Sequence, residues 1–155
     1  MLHHTYLEKI GLNQLIAWEP FSLSELHHFL ATPSRYEDAA LKSGPVLFDL
    51  RKVNVENIKM PDIRRQLIKK NQIRPDLSSF PCAYLVDGAE AFSIVSESFI
   101  YAKQIKGAAS PAMFVTEDMT EAASWLSKFV GKNRFDIYRQ LNAIYEPIEK
   151  TKPNV

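Results

Sequence analysis

The chain has 155 residues, of which 46% are hydrophobic and 24% are charged, and its formal net charge at pH 7 is +1. This composition is typical of one globular domain with a sizeable core. A charge this close to zero gives no general attraction to nucleic acid, so we expect no nucleic-acid partner. The single cysteine, Cys82, cannot form an internal disulfide, nothing at the N-terminus resembles a signal peptide, and no apolar run approaches the roughly 18 residues of a spanning helix. We therefore expect a cytoplasmic protein without a membrane span.

The N-terminal part of the chain predicts a β-hairpin followed by two short helices. Residues 5–10 and 13–19 have the composition of strands, and Gly11 lies in the turn between them. A Ser-x-x-Glu capping box at residues 22–25 predicts the start of the first helix. The same pattern recurs at the beginning of residues 34–42 and predicts the second helix.

Two buried strands are predicted in the middle of the chain, each followed by a helix. Residues 46–51 and 82–86 begin as apolar runs without polar alternation, the pattern of strands that are covered on both faces. One helix is predicted to begin at Pro61, because proline suits the first helical position. Another is predicted over residues 89–106, and Gly107 ends it.

The helix that begins near residue 61 carries the one local charge asymmetry of the chain. Only Asp62 offsets its basic residues, which are Arg64, Arg65, Lys69, Lys70 and Arg74. Such a face could contact phosphate groups of a nucleic acid, a nucleotide or a lipid head. Neither a glycine-rich loop nor interleaved aromatic residues accompany it. We therefore interpret it as the solvated face of a surface helix.

Residues 112–116 predict a last strand, covered on both faces, and a capped helix follows it. Asp118 is placed to cap the helix, and Glu121 three residues later completes an acidic capping box. Gly131 is placed to close the helix in the left-handed conformation. The apolar stripe of this helix has the spacing i, i+3, i+4, i+7 and comprises Met119, Ala122, Ala123, Leu126, Phe129 and Val130.

The last predicted strand and helix carry a family resemblance. Residues 114–118 read Phe-Val-Thr-Glu-Asp, and residues 121–126 read Glu-Ala-Ala-Ser-Trp-Leu. This stretch resembles the closing strand and helix of the STAS-like bacterial proteins, which are small single domains related to anti-sigma-factor antagonists. The strand at residues 46–51 is similar to a strand of that family as well, and Asp49 falls on its acidic position. The resemblance covers roughly residues 5–131.

The best-known switch of the wider family is missing from this chain. In the anti-sigma-factor antagonists, a phosphorylatable serine follows the central strand in an Asp-Ser-Ser-Gly-like motif. Residues 55–61 of this chain read Val-Glu-Asn-Ile-Lys-Met-Pro and contain neither Ser nor Thr. The resemblance therefore implies a STAS-like domain over residues 1–131 that lacks the phosphorylation switch.

Residues 132–155 lie beyond the resemblance and predict an extra C-terminal helix and a tail. Apolar residues occupy more than one side of this helix, with Phe135 and Tyr138 in one row and Ile137 and Ile144 in another. So broad an apolar surface must be covered, either by the same domain or by a second copy of the chain. Packing within the domain and a homodimer through this helix both remain open.

Strands that alternate with helices predict an α/β fold with a mixed sheet of about four to five strands, in which the N-terminal hairpin supplies the antiparallel part. Ligands of such sheets bind at the carboxyl ends of the strands. The candidate ligand-binding residues at those ends are Asp49, Arg51, Asp87, Gly88 and Thr116. A structural ion pair of Arg51 with Asp49 or Asp87 is the alternative interpretation.

No motif in the sequence identifies a catalytic, metal or cofactor site. The sequence contains no nucleophile elbow, no P-loop and no dinucleotide-binding fingerprint. Cys82 has no His or basic residue near it in the sequence, so we interpret it as a small core residue. His27 and His28 are adjacent on a helix, where their rings diverge by roughly 100°, so they do not form a metal-binding pair.

We therefore predict a non-enzymatic binding or regulatory module that acts on a protein partner or a small apolar ligand. Phe92, Phe99 and Tyr101 are candidates to line an apolar pocket for that ligand. Two other classes remain open. One is an enzyme with an unrecognised site at the carboxyl ends of the strands, and the other is a homo-oligomeric structural or interaction protein.

Overall fold

A computed structural model describes residues 1–31, 42–105 and 112–145, which form a five-stranded sheet with helices on both faces. The strands are β1 (Leu2–Leu7), β2 (Leu12–Trp18), β3 (Val46–Lys52), β4 (Cys82–Leu85) and β5 (Met113–Thr116). The helices are α1 (Leu23–Ala31), α2 (Met60–Ile73), α3 (Ala89–Gln104), α4 (Met119–Val130) and α5 (Arg134–Ala143). Apart from Lys42, the helix predicted over residues 34–42 lies outside the described residues.

The sheet is mixed, and its strand order follows the chain from β1 to β5. Strand β1 is antiparallel to β2, whereas β2, β3, β4 and β5 are parallel neighbours. Each parallel connection returns the chain across a face of the sheet, as parallel strands require. This arrangement confirms the predicted α/β fold and the position of the hairpin as its antiparallel part. No helix among the described residues is long and apolar enough to cross a membrane.

The hairpin differs from its prediction in the position of the first strand. Strand β1 ends at Leu7, three residues before the predicted end. The backbone N–H groups of Ile10 and Gly11 both donate to the Leu7 carbonyl, at 3.1 and 2.8 Å. Residues 8–11 are therefore the turn, and Gly11 adopts a φ of +68°, which favours glycine. The turn takes four residues, so β1 shifts toward the N-terminus.

Helices α4 and α5 cover one face of the sheet and bury the larger core cluster. Its fully buried leucines and isoleucine come from strands and helices alike: Leu12, Leu47, Leu85, Leu126, Ile137 and Leu141. Ala122 and Ala123 on α4 are also buried, and their small side chains allow the helix to lie close to the strands. Asp118 and Gly131 begin and end α4 as predicted, with the Asp118 carboxylate accepting from the Thr120 N–H at 2.8 Å.

Helices α1, α2 and α3 cover the opposite face less tightly. No residue of α1 or α2, both of which are described in full, is fully buried. The buried residues on this face belong mainly to the strands and to α3, with Leu15 and Phe48 in one cluster and Val86 and Val95 in another. The helical layer therefore leaves space above the sheet, and this space holds the cavity described below.

Strand β5 lies at the edge of the sheet, which differs from the prediction of a strand covered on both faces. Its first three residues are only half-buried. Phe114 stacks on Trp125 of α4, with 5.4 Å between ring centroids and 11° between ring planes. Phe129 packs on Trp125 at 4.7 Å but remains 41% exposed, so it lies at the margin of the predicted stripe. The edge strand is thus covered by aromatic side chains rather than by a neighbouring strand.

Helix α5 packs on α4 within the same chain and uses only one of its two apolar rows. Ile137 and Leu141 are fully buried in the core. The side-chain amide of Gln14 donates to the Leu141 carbonyl at 3.1 Å and connects the end of α5 to strand β2. Phe135 is 62% exposed and Tyr138 is 39% exposed, so this other row faces outward.

Candidate functional site

The strand-end residues predicted from the sequence lie at one edge of the parallel sheet. Asp49, Leu85 and Thr116 are aligned on β3, β4 and β5 by the strand register. Asp87 and Gly88 follow β4 after one intervening residue, Val86. The topology therefore brings the three chain segments to the same edge, whereas the hydrogen bonds divide the polar residues into two separate groups.

The first group surrounds Asp49, a carboxylate that is buried on the α5 side of the sheet. Arg51 binds both of its oxygens, with 2.8 Å from Nη2 to Oδ2 and 3.1 Å from Nε to Oδ1. The backbone N–H of Arg51 donates to Oδ1 at 3.0 Å, and the hydroxyl of Tyr145 donates to Oδ2. The guanidinium also lies over the Tyr145 ring, 5.4 Å from its centroid. The structural ion pair is therefore with Asp49, and Asp87 is exposed.

The electrostatics of this group follow from its hydrogen bonds and its burial. The hydrogen bond with Asp49 is the main cause that raises the pKa of Arg51 above its ordinary value. Burial and the Asp49 charge raise the pKa of Tyr145. Arg51 therefore remains charged and the Tyr145 phenol remains neutral at ordinary pH. Because this arrangement satisfies Asp49 within the protein, it connects β3 to the segment that directly follows α5.

The second group surrounds Thr116 and caps two helices. The Thr116 hydroxyl donates to Glu121 Oε2 at 2.6 Å and accepts from the Asp118 backbone N–H at 3.1 Å. The predicted capping box is therefore wrong in one detail, because Thr116 rather than Glu121 binds the Asp118 N–H. The Gly88 backbone N–H donates to Glu117 Oε1 at 2.7 Å. These polar groups serve the helix termini.

A cavity of about 140 Å³ lies on the opposite face of the sheet, under α1, α2 and α3. Its wall is mostly apolar, and the main contributors include Leu26, Leu30, Leu50, Ile63, Leu67 and Val95. A smaller void of about 70 Å³ extends toward the start of the strands. Phe48, Lys70 and Tyr84 line both spaces, so the two spaces adjoin. No candidate residue from the strand ends lines either space.

A few polar side chains converge on this apolar cavity. Gln66 and Lys70 lie one helical turn apart on α2, and spacing of this kind places both side chains on the same helix face. The Gln66 Oε1 atom is buried without a hydrogen-bond partner among the described residues. Burial lowers the pKa of Lys70 and raises the pKa of Tyr84, because each charged form is disfavoured away from water.

Lys70 corrects the prediction of one solvated basic face on α2. Arg65 is exposed and pairs with Asp62 at 2.8 Å, whereas Arg74 pairs with Asp76 at 2.7 Å. Lys70 instead points inward and lines the cavity. A sequence signal for this was available, because the positions Ile63, Gln66, Leu67 and Lys70 have the spacing i, i+3, i+4, i+7 of a single helix stripe.

The surroundings of Cys82 also differ from those expected. The sequence places no basic residue near it, whereas the fold brings Lys70 from α2 to the wall of the same void. Burial lowers the pKa of Lys70, and the proximity of Cys82 opposes that shift without cancelling it. The Cys82 thiol donates to the Phe80 carbonyl at 3.4 Å. Cys82 is therefore a partly buried strand residue beside an amine.

The three aromatic residues proposed to line a pocket are separated in the structure. Phe99 packs on Tyr84 with 5.3 Å between ring centroids. Phe92 is 39% exposed, and Tyr101 lies on the surface side of α3, under the Arg64 guanidinium at 5.5 Å. Helix α3 instead lines the cavity with Ile94, Val95 and Ser98. Phe92, Phe99 and Tyr101 therefore do not line this cavity.

Comparisons of the chain with protein-family models, with curated proteins and with solved structures find no match. The resemblance to the STAS-like proteins therefore remains a prediction. Within the described residues, no group of three or more His, Cys, Asp or Glu side chains could hold a metal ion. The functional argument accordingly depends on the cavity and on the polar groups that face it.

Proposed function

We propose that this chain is a binding module that holds a small apolar molecule in the cavity under α1, α2 and α3. The observation that carries the proposal is the cavity itself, which combines mostly apolar walls with a few convergent polar groups. This combination is typical of sites for small molecules. A ligand would restore the contacts that the cavity walls lack.

The volume restricts the size of the ligand. An apolar cavity of about 150 Å³ accommodates a molecule such as benzene. The main space of about 140 Å³ therefore suits one six-membered ring or a short branched chain. The adjoining space of about 70 Å³ allows a substituent that extends past Phe48 and Tyr84. A long lipid chain would require the helices to move apart.

A route of entry is available between α1 and α2. All the residues by which these helices line the cavity are partly exposed, including Leu23 and Leu26 on α1 and Ile63 and Leu67 on α2. The helical layer over the cavity is thus thin and reached by solvent. Local separation of two loosely packed helices costs less than opening a tightly packed core.

Binding rather than catalysis is favoured by the way the predicted strand-end residues are used. Asp49, Arg51 and Thr116 are held by hydrogen bonds within the protein, so an enzyme site there would have to break them. A STAS-like domain over residues 1–131 and a cytoplasmic setting are parts of this proposal. The first depends on the sequence resemblance, and the second depends on the single cysteine.

Titration with toluene, followed by amide chemical shifts in solution NMR, tests the proposed function. We expect saturable shifts in α1, α2 and β4, with the strand-end residues near Asp49 unaffected. The variant Leu67→Trp fills the cavity and should abolish the shifts. Ile68→Trp is the matched control, because Ile68 is adjacent on α2 but 41% exposed. If toluene gives no saturable shift, or if both variants bind equally, the proposed function is wrong.

Self-association through α5 is a second candidate function, favoured by its outward aromatic row. Phe135 and Tyr138 remain exposed after α5 has packed on its own domain. Sedimentation velocity should then detect a dimer that Phe135→Glu dissociates. Ile100→Glu is the control, because Ile100 is similarly exposed on α3. A monomer at all concentrations would exclude this candidate.

A further inference from the structure

We infer that the ligand is a small organic acid whose carboxylate pairs with the ammonium group of Lys70, an inference that rests on the proposed apolar-ligand site. The ligand would place its apolar body in the main space of the cavity and its acid group at Lys70. The inference assigns Lys70 as the residue that selects acids over neutral molecules of the same shape.

The position of Lys70 supports this role. Its side chain lines both the main cavity and the adjoining void, so it lies where the two spaces meet. Among the described residues, no hydrogen-bond acceptor or carboxylate pairs with its ammonium group. No aspartate or glutamate is present among the described residues that line either space. Lys70 is partly buried, so its ammonium group has lost part of its hydration, and an anionic ligand would supply a counter-ion.

In the described part of the chain, the titratable groups that face Lys70 from the neighbouring elements include no carboxylate that could pair with it. From the sheet, Cys82 and Tyr84 line the same space, and burial raises the pKa of Tyr84, which keeps its hydroxyl neutral. From α1, His27 lines the main cavity. None of these side chains is a carboxylate. Within the part of the chain that the structure describes, the site therefore has one strong cationic donor and no carboxylate to neutralise it.

The rest of the wall favours a carboxylate over a phosphate group. A single lysine matches a single negative charge, whereas a phosphate carries about two charges near neutral pH and several strong acceptor oxygens. Only one further side chain on α2, Gln66, offers an unsatisfied polar atom next to Lys70. Its amide carries both an acceptor and donors, so rotation of the amide allows it to bind an acid oxygen or a neighbouring hydroxyl. The Lys70 ammonium and the Gln66 amide together can bind one acid group.

Calorimetric titration with benzoate, benzamide and toluene tests the inference. These three molecules share a ring of the size that the cavity holds, and only benzoate carries a charge. We expect benzoate to bind at least about tenfold more tightly than benzamide at neutral pH, because its charge is paired at Lys70. Toluene binding measures the apolar contribution alone.

Matched variants separate the charge of Lys70 from the shape of the cavity. Lys70→Met should remove the preference for benzoate and leave toluene binding intact. Lys70→Arg should keep a preference for the acid. Lys69→Met is the control, because Lys69 is the preceding residue on α2 and is exposed, so it should leave the preference unchanged.

The outcomes distinguish this inference from the proposed function. If toluene binds but benzoate binds no more tightly than benzamide, the inference is wrong and the apolar site stands. If Lys70→Met binds toluene normally and retains the preference for benzoate, the inference is equally wrong. If no compound binds to the wild-type protein, the proposed function fails as well. A preference that is lost in Lys70→Met and retained in Lys69→Met supports the inference.

Discussion

The two faces of the sheet are covered by helices in different ways. On one face, α4 and α5 bury Leu126, Ile137 and Leu141 completely. On the other face, neither α1 nor α2 buries a single residue completely, and a cavity of about 140 Å³ lies beneath them. The same sheet thus has a closed side with a tightly packed core and an open side that holds the cavity.

The difference originates in the side chains that the helices direct toward the strands. Helix α4 presents Ala122 and Ala123 between larger residues, so its backbone lies close to β4 and β5. Helix α2 presents Gln66 and Lys70 in the same stripe as Ile63. Long polar side chains do not interdigitate as densely as branched apolar ones, and packing defects remain where they meet the sheet.

The largest change in the free energy of unfolding is expected when one leucine on each face of the sheet is truncated to alanine. Leu126→Ala on the closed face should lower the free energy of unfolding by about 2 to 5 kcal/mol, since it creates a cavity in a packed core. Leu67→Ala borders an existing cavity and is half-buried, so it should cost roughly 1 kcal/mol. Urea denaturation measures both values. Equal losses would contradict the distinction between the faces.

An intermediate change in the free energy of unfolding is expected when an ion pair on each face is removed. Arg51→Ala should lower the free energy of unfolding by about 2 kcal/mol, because it removes the partner of a buried carboxylate. This is less than for a fully buried pair, since the Arg51 side chain is 35% exposed. Arg65→Ala should change stability by less than about 0.5 kcal/mol, because its pair with Asp62 is exposed. If Arg51→Ala were as mild as Arg65→Ala, the Asp49 group would not stabilise the closed face.

A smaller loss is expected when the hydroxyl of Tyr145 is removed. Tyr145→Phe deletes the hydrogen bond to Asp49 and should lower the free energy of unfolding by about 1 kcal/mol. Tyr138→Phe is the control, because Tyr138 lies on the exposed row of α5. Thermal unfolding of the two variants in parallel gives the comparison. A control variant as destabilised as Tyr145→Phe would show that the hydrogen bond has no special role.

The smallest expected change is an increase in the free energy of unfolding, and it results from a substitution on the open face. Lys70→Met should raise the free energy of unfolding by about 1 kcal/mol at pH 7, since it removes a partly buried amine whose charged form is disfavoured by burial. Burial lowers the pKa of Lys70 in the folded protein, so between that pKa and 10.5 the unfolded chain binds more protons. The wild-type protein therefore gains stability in that range as the pH rises, and the advantage of Lys70→Met should shrink.

Denaturation of both proteins at pH 7 and at pH 10 measures this change. The difference between wild type and variant isolates Lys70 from the neighbouring groups His27, Cys82 and Tyr84, which both proteins contain. A variant that is less stable than wild type at pH 7, or an advantage that grows with pH, would show that the amine is satisfied in the folded protein.

Local patterns in the sequence were sufficient for much of the fold. Capping residues and apolar periodicity predict helix α4 with its ends at Asp118 and Gly131, and apolar runs predict β3 and β4. These features depend on residues within a few positions of each other, so a sequence pattern contains them. The edge position of β5 could not be predicted in this way, because its apolar run looks like that of a central strand.

The sequence alone was sufficient to predict the order of strands and helices along the chain. Only the tertiary structure decided which polar residues are available to a ligand. Asp49 meets Tyr145 across 96 positions of the chain, and Lys70 of α2 lines the same space as Cys82 of β4. No local pattern specifies either contact. The direction of Lys70 depends on how far α2 stands from the sheet, because a lysine at the margin of an apolar stripe can point to solvent or inward. That distance results from the packing of the whole layer.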